Sequence, residues 1–350
     1  MTPASSIQHY LAKISQGTAI KVVQPENEIT VINMALGCAY AGKRAAIGTS
    51  GGGFGLMHEG FSLAGMAEIP LLVALSQRPG PATGVPTYTS QSDLNPIRYS
   101  GHGEFARLVL APGDAKEAYE LGAEALNLSW KLQMPVLVLL DKHLSESLMT
   151  ADFSKFKIHP EKGKIFKGDT KTYQRYANAK DGVSPLCFPG TPGAIVKVDS
   201  YEHDEAGIAT EEARAVKEMQ EKRFRKFETL IKERKKFQTV KIFGDKKASD
   251  AVVFWGSTKG AVLEAAKLIK KPLRLIQVLW LELLDEIALA RALKGVKKIV
   301  SVEANLTGQL AGIIREKTGV EIKRRITKCD GRQFEPRVLA GELVKKLSAK

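Results

Sequence analysis

Apolar residues follow two rhythms along the first 150 positions. Ser5–Ser15 and Ile29–Tyr40 place them at three- and four-residue spacings, the period of a helix with one buried face. Phe54–Met66 and Asp114–Leu132 repeat the pattern, and Asp114 is available as an N-cap. Between these helices stand short apolar runs without polar alternation: Arg44–Thr49, Pro70–Leu75 and Pro135–Leu140. Helices alternating with continuous apolar strands predict a parallel sheet covered on both faces. One connection, Arg78–Asn95, is unusually long and dense in Pro, Gly, Thr and Ser. Ordered loops of that length at strand ends commonly carry function.

The rhythm lapses over residues 151–245, where Pro, Gly and Lys are abundant and a basic stretch, Lys217–Lys241, follows. Within it Met219, Phe224, Phe227, Leu230 and Ile231 recur at helical spacing, as in a solvated amphipathic helix. From Ala251 the alternation returns, with strands at Ala251–Trp255, Leu273–Val278 and Lys298–Glu303. A helix is expected from Gly256-Ser257-Thr258 through Lys270, and another at Gly308–Thr318. The expected fold class is therefore α/β, with two parallel-sheet domains. They occupy residues 1–150 and 246–350, and a linker with the basic helix fills 151–245.

Composition narrows the functional classes. Of 350 residues, 44% are hydrophobic and 26% charged, as in globular proteins, and no apolar run is long enough for a transmembrane helix. No basic segment followed by an apolar core opens the chain, so no secretory signal is expected. The net charge of +14 raises the question of nucleic acid, yet much of it lies in the helical stretch and no nucleic-acid module accompanies it. Cys38, Cys187 and Cys329 are far apart and form no CxxC, which argues against a disulfide framework and a self-contained metal site. A cytoplasmic protein is expected.

The chemistry concentrates in one region. Glu28 stands at the mouth of a small-residue helix, where a carboxylate could either cap the helix or face a ligand. Thr49-Ser50-Gly51-Gly52-Gly53-Phe54-Gly55 is a glycine-rich turn from strand to helix. It lacks the P-loop lysine and the GxGxxG spacing, leaving close approach of a flat ring or of a partner subunit as the other reading. Arg78 follows an apolar strand directly, where a parallel sheet binds ligands, and a guanidinium there suits a carboxylate. His102 and His203 lie in polar loops without metal-ligand spacing or a triad partner legible in sequence order.

Taken together these segments resemble the α subunit of the 2-oxoacid:ferredoxin oxidoreductases, most closely the 2-oxoglutarate type. The opening Thr2-Pro3-Ala4-Ser5-Ser6 is similar to part of the family's Tyr-Pro-x-Thr-Pro-Ser/Ala-Ser signature. Glu28, Ala41-Gly42, Thr49–Gly53 and Leu56-Met57-His58-Glu59 follow in the family's order. The loop Gln77–Thr87, with Gln91 and Asp93 beyond it, matches the family's Arg-x-Gly-Pro-Ser-Thr-Gly-x-Pro-Thr. His102-Gly103-Glu104, Asp181–Pro185, Glu202-His203-Asp204-Glu205 and Glu303–Gln309 extend the resemblance over essentially the whole chain.

The resemblance implies a pyrimidine-binding domain for thiamine diphosphate, followed by a smaller transketolase C-terminal-like domain. It makes Glu28 the catalytic carboxyl that hydrogen-bonds the aminopyrimidine, with Ser50, Gly51, Gly52 and Gly53 admitting the cofactor ring. Thr2 and Arg78 become the substrate contacts. The implied reaction is CoA-dependent oxidative decarboxylation of a 2-oxoacid, 2-oxoglutarate favoured, with reduction of ferredoxin. The chain has no Gly-Asp-Gly with a downstream Asn, and three dispersed cysteines do not suffice for a four-cysteine cluster. The resemblance therefore implies a β subunit carrying Mg²⁺, the diphosphate and the iron–sulfur cluster, and further γ or δ subunits, with this chain inert alone. The Tyr-Pro and the strand and helix before it are expected either upstream of Met1 or absent from the first domain. Gly52 stands where the family often has proline. Another thiamine enzyme subunit of transketolase type, or a non-catalytic structural subunit, is the alternative.

Overall fold

The computed structural model describes residues 1–154 and 156–349; Lys155 of the expected linker and Lys350 at the end of the second expected domain lie outside the described residues. The first half runs α1 (Ser5–Ser15), α2 (Glu28–Tyr40), β1 (Ala46–Thr49), α3 (Gly51–Leu56), α4 (His58–Met66), β2 (Leu71–Gln77), α5 (Leu94–Arg98), β3 (Leu108–Leu110), α6 (Ala115–Leu132), β4 (Pro135–Asp141) and α7 (Lys142–Ser145). A long irregular stretch then leads to α8 (Ala213–Arg234) and β5 (Val240–Gly244). The remainder runs β6 (Asp250–Phe254), α9 (Thr258–Lys267), β7 (Arg274–Val278), β8 (Trp280–Glu282), α10 (Glu286–Leu293), β9 (Lys298–Glu303), α11 (Gln309–Thr318), β10 (Arg324–Thr327) and α12 (Pro336–Ser348).

Two five-stranded sheets result, ordered β1-β2-β4-β3-β8 and β10-β9-β6-β7-β5. All neighbours are parallel except the edge strands β8 and β5, which run antiparallel to β3 and β7. The α/β class expected from the apolar runs is what forms. β4 is buried at every position, as a strand covered on both faces must be. Asp114 caps α6 by accepting from the Glu117 amide at 2.8 Å.

The sheets do not divide where the apolar rhythm suggested. Val240–Gly244, expected with the linker, is the edge of the second sheet, paired with β7. Trp280–Glu282, expected in the second domain, leaves β7 after one residue and closes the edge of the first sheet against β3. One apolar cluster accordingly runs through both sheets, from Val109 and Leu139 to Val278 and Leu281.

The basic helix also departs from its expectation. α8 is not simply solvated, because Lys222, Arg223, Lys226 and Arg234 are buried. Lys222 and Lys226 each bring an ammonium 2.6 Å from opposite oxygens of Glu68, at the end of α4, which is itself buried. Burial alone would raise that carboxyl, but the two lysines together hold it well below the usual carboxylate range. Burial in turn pushes Lys226 down to about 8 against the pull of Glu68. Much of the charge counted as surface in the sequence is thus internal fastening of α8 to the first sheet.

Candidate functional site

The turn from β1 into α3 is the hub of the site, and successive residues in it face different parts of the chain. Ser50 Oγ donates to Met1 Sδ at 2.6 Å, tying the turn to the segment before α1. A Cβ on Gly51 would overlap the Asp93 carboxylate. One on Gly52 would lie 3.6 Å from the Ala82 carbonyl oxygen, and one on Gly53 would overlap Thr49 Oγ1 and sit 2.9 Å from Glu28 Oε1. Gly51 and Gly53 are required by approach, since side chains there would push out the groups that converge on the turn, whereas one on Gly52 would make only ordinary contact.

Glu28 opens α2 but does not cap it. Asn27 takes that role, its Oδ1 accepting from the Thr30 amide at 3.0 Å. The Glu28 carboxylate is half-buried, lies beside Gly53, and accepts no hydrogen bond among the described residues. A carboxylate at a helix N-terminus that is not spent on capping can accept from, or share a proton with, a heterocycle laid against the bare glycine backbone. An unengaged carboxylate is the group that an aminopyrimidine would need on this side.

Arg78 follows β2 and is nearly buried. Its Nη1 donates to the Thr2 carbonyl oxygen at 2.6 Å, so these two candidates for substrate contact meet. The contact uses the Thr2 backbone rather than the hydroxyl expected to touch substrate. The Arg78 Nε is buried with no hydrogen-bond partner among the described residues. Asp93 supplies the opposing charge. One of its oxygens, Oδ2, is likewise buried and unpartnered. Burial lifts its carboxyl to about 6, only partly countered by Arg78.

Asp93 was not a candidate in the sequence, although it stands in the loop that carries Arg78. Its backbone is held from both sheets. The Asp93 amide donates to Gln77 Oε1 at 3.0 Å, and Gln77 Nε2 donates to the Leu140 carbonyl at 3.0 Å. Gln309 Nε2 donates to the Ser92 carbonyl at 2.9 Å, and the Asn95 amide donates back to Gln309 Oε1 at 3.0 Å. Gln91 exchanges hydrogen bonds with both backbone groups of Ala304 and donates to the Trp255 carbonyl. The stretch Glu303–Gln309 thus clamps the segment that presents Asp93. Its Glu303 accepts from the Leu310 and Ala311 amides at the start of α11.

The histidines fall away from the hub's chemistry. His203 is fully buried, stacked on Tyr176 with ring centroids 3.8 Å apart, and its Nδ1 lies 3.0 Å from the Tyr201 carbonyl. Burial lowers its pKa, as expected of a neutral packed imidazole. His102 is exposed, 3.4 Å from Glu59. The turn that carries it is held by His58, whose Nε2 accepts from the Gly101 amide at 2.9 Å. Among the described residues no group of three or more His, Cys, Asp or Glu is placed to hold a metal ion, and no helix is long and apolar enough to cross a membrane.

Comparison with known proteins places the chain in a family. A family described as "Pyruvate flavodoxin/ferredoxin oxidoreductase, thiamine diP-binding" matches residues 1–222. The α subunit of 2-oxoacid:ferredoxin oxidoreductase 1 from Sulfurisphaera tokodaii is 37% identical over 333 residues, which are 94% of this chain and 53% of that protein. The corresponding subunit from Saccharolobus solfataricus is 40% identical over 323 residues, 90% of this chain and 51% of the relative. The chain thus spans about half the length of these curated relatives. Among solved structures, a 2-oxoglutarate:ferredoxin oxidoreductase from Magnetococcus marinus, with 2-oxoglutarate, coenzyme A and succinyl-CoA bound, superposes with a TM-score of 0.90. It is 31% identical and covers 99% of this chain and 61% of that one. A split-gene transketolase, an inactive β4 tetramer, superposes at a TM-score of 0.53 with 12% identity over 99% of this chain and 97% of that one, a likeness of fold alone.

Proposed function

The chain belongs to the thiamine diphosphate-binding family of pyruvate flavodoxin/ferredoxin oxidoreductases, and from that premise we propose that it serves as the α subunit of a CoA-dependent 2-oxoacid:ferredoxin oxidoreductase, with 2-oxoglutarate the favoured substrate. The observation that carries this reading is the Glu28 carboxylate, relieved of capping by Asn27 and set against the bare backbone of Gly53. When bound, thiamine diphosphate supplies the electron sink for decarboxylation. Glu28 is the residue proposed to hydrogen-bond its aminopyrimidine and share a proton there, with Ser50, Gly51, Gly52 and Gly53 forming the turn proposed to face the ring. Arg78 pairs with the substrate carboxylate and orients it, and Thr2 lines the same corner through its contact with Arg78.

Mg²⁺, the diphosphate and the iron–sulfur cluster we assign to a β subunit, with ferredoxin reduced by the complex and γ or δ subunits as its further members. That assignment rests on the sequence, which lacks Gly-Asp-Gly with a downstream Asn and has only three dispersed cysteines.

The test is co-expression with a cognate β subunit and measurement of 2-oxoacid- and CoA-dependent viologen reduction. Glu28→Ala should lower the rate by about 10²–10⁴-fold, the range for loss of a positioned proton-transfer group. Full activity in that variant would remove Glu28 from the mechanism.

A further inference from the structure

The polar frame around the glycine turn contains one ionisable group to which the proposed chemistry assigns no task. Asp93 stands against Gly51 on one side of the turn as Glu28 stands against Gly53 on the other. Its Oδ2 is buried without a hydrogen-bond partner, and so is the Nε of Arg78. No ion pair within 4.0 Å joins them among the described residues, yet Arg78 is the charge that acts on Asp93. Two complementary groups, both desolvated and both short of a partner, interact through the field between them. Each is therefore sensitive to any third charge brought into the corner.

The frame holds Asp93 still. Its amide is fixed by Gln77, and the backbone on either side is clamped by Gln309. The other ionisable groups on the surrounding elements are otherwise engaged or stand apart. Glu28 lies at Gly53, across the turn. Beyond Gln77, at the end of β4, Asp141 accepts from Ser257 Oγ and from the Leu144 amide, and His143 is hydrogen-bonded with Gln333.

We propose that Asp93 is a positioning residue whose charge is exchanged for that of the substrate: ionised, it balances Arg78 in the empty site, and it takes up one proton from water when a 2-oxoacid carboxylate arrives beside Arg78. This deepens the proposed function and rests on it, since it requires Arg78 to meet an anionic substrate. The charge balance closes: one carboxylate and one proton enter, and the net charge of the corner is unchanged. A carboxyl already lifted to about 6 by burial is suited to the exchange, because a second anion raises it further.

Linkage sets the readout. Where the free site has lost the Asp93 proton and the occupied site keeps it, binding weakens with pH by up to about tenfold per unit. In the assembled complex, KM for 2-oxoglutarate should therefore climb as pH is raised from about 6, with kcat carrying the smaller change. In Asp93→Asn, which has no proton to exchange, that climb should flatten. A variant whose KM rises in parallel with the wild type overturns the proposal. A second measurement needs no variant. Binding of 2-hydroxyglutarate, which keeps the carboxylate and cannot decarboxylate, is followed by calorimetry in two buffers of different ionisation enthalpy at pH 7.5. Uptake approaching one proton per site supports the exchange, and no uptake overturns it. A wild-type complex without any 2-oxoacid-dependent reduction would overturn both readings, whereas full activity with parallel pH profiles overturns the role of Asp93 alone.

Discussion

Asp93 costs the folded chain stability. Its carboxyl titrates at about 6 in the fold against an ordinary value of 3.8, because burial penalises the charge more than Arg78 favours it. The folded state consequently holds a proton that the unfolded chain has already released between those values. The stability this confers is present at low pH and is lost as pH rises through about 6. An amide has nothing to lose over that window. Asp93→Asn should therefore be more stable than the wild type by about 3 kcal/mol above pH 6, with the gain closing below about pH 4. Calorimetric melting at pH 4 and 7.5 checks it, and equal gains at both values would refute it. The same residue shows where residue-level reading stops. Glu28 draws attention in the sequence because it opens a small-residue helix, and Arg78 because it ends an apolar strand. Asp93 looks like any loop acid until three-dimensional packing places it on Gly51. Asn27 is likewise indistinguishable from Glu28 as a cap until the backbone shows whose oxygen meets the Thr30 amide.

Among the elements, α8 shows most clearly how local pattern and tertiary context part company. Its apolar spacing and its charge are both real, and helix Ala213–Arg234 forms. What the one-dimensional pattern does not contain is Glu68, more than 150 positions earlier, which neutralises Lys222 and Lys226 inside the protein. Glu68→Gln should cost about 3–5 kcal/mol at neutral pH, because it leaves two ammonium groups buried without their carboxylate. The sign with pH is opposite to that of Asp93. The folded Glu68 carboxyl lies below its ordinary 4.5, so its contribution is fully present above that value and is lost as pH falls through the lower, folded one. Urea denaturation at pH 7 and pH 3 should show the gap between wild type and variant narrowing in acid, and a constant gap would exclude the pair as its source. Long, strongly patterned elements were readable: Ser5–Ser15 and Lys298–Glu303 form as expected, and Pro135–Leu140 extends only to Asp141. The helix expected at Phe54–Met66 instead starts at Gly51 and breaks at Met57 into α3 and α4. Strands β3, β5, β8 and β10 went unseen. They are three to five residues long, too short to declare a period, and β5, β8 and β10 are edge strands.

For the molecule as a whole, the important fact is that neither sheet is built from one continuous stretch of sequence. β7 belongs to the second sheet and β8, one residue later, to the first, while one apolar cluster runs through both. The isolated chain should therefore melt in one cooperative transition, and Trp280→Ala, which removes a buried side chain from the crossing strand, should lower that transition by about 3–5 kcal/mol without splitting it. Two separable heat-capacity peaks would contradict the shared core. The crossing strand also bears on how the protein is made. Synthesis proceeds from the N-terminus, and the free edge of β3 waits through the production of the irregular stretch, α8 and half of the second sheet before Trp280–Glu282 leaves the ribosome to cover it. The half of the molecule that carries the glycine turn is translated first, yet its sheet is among the last parts able to close.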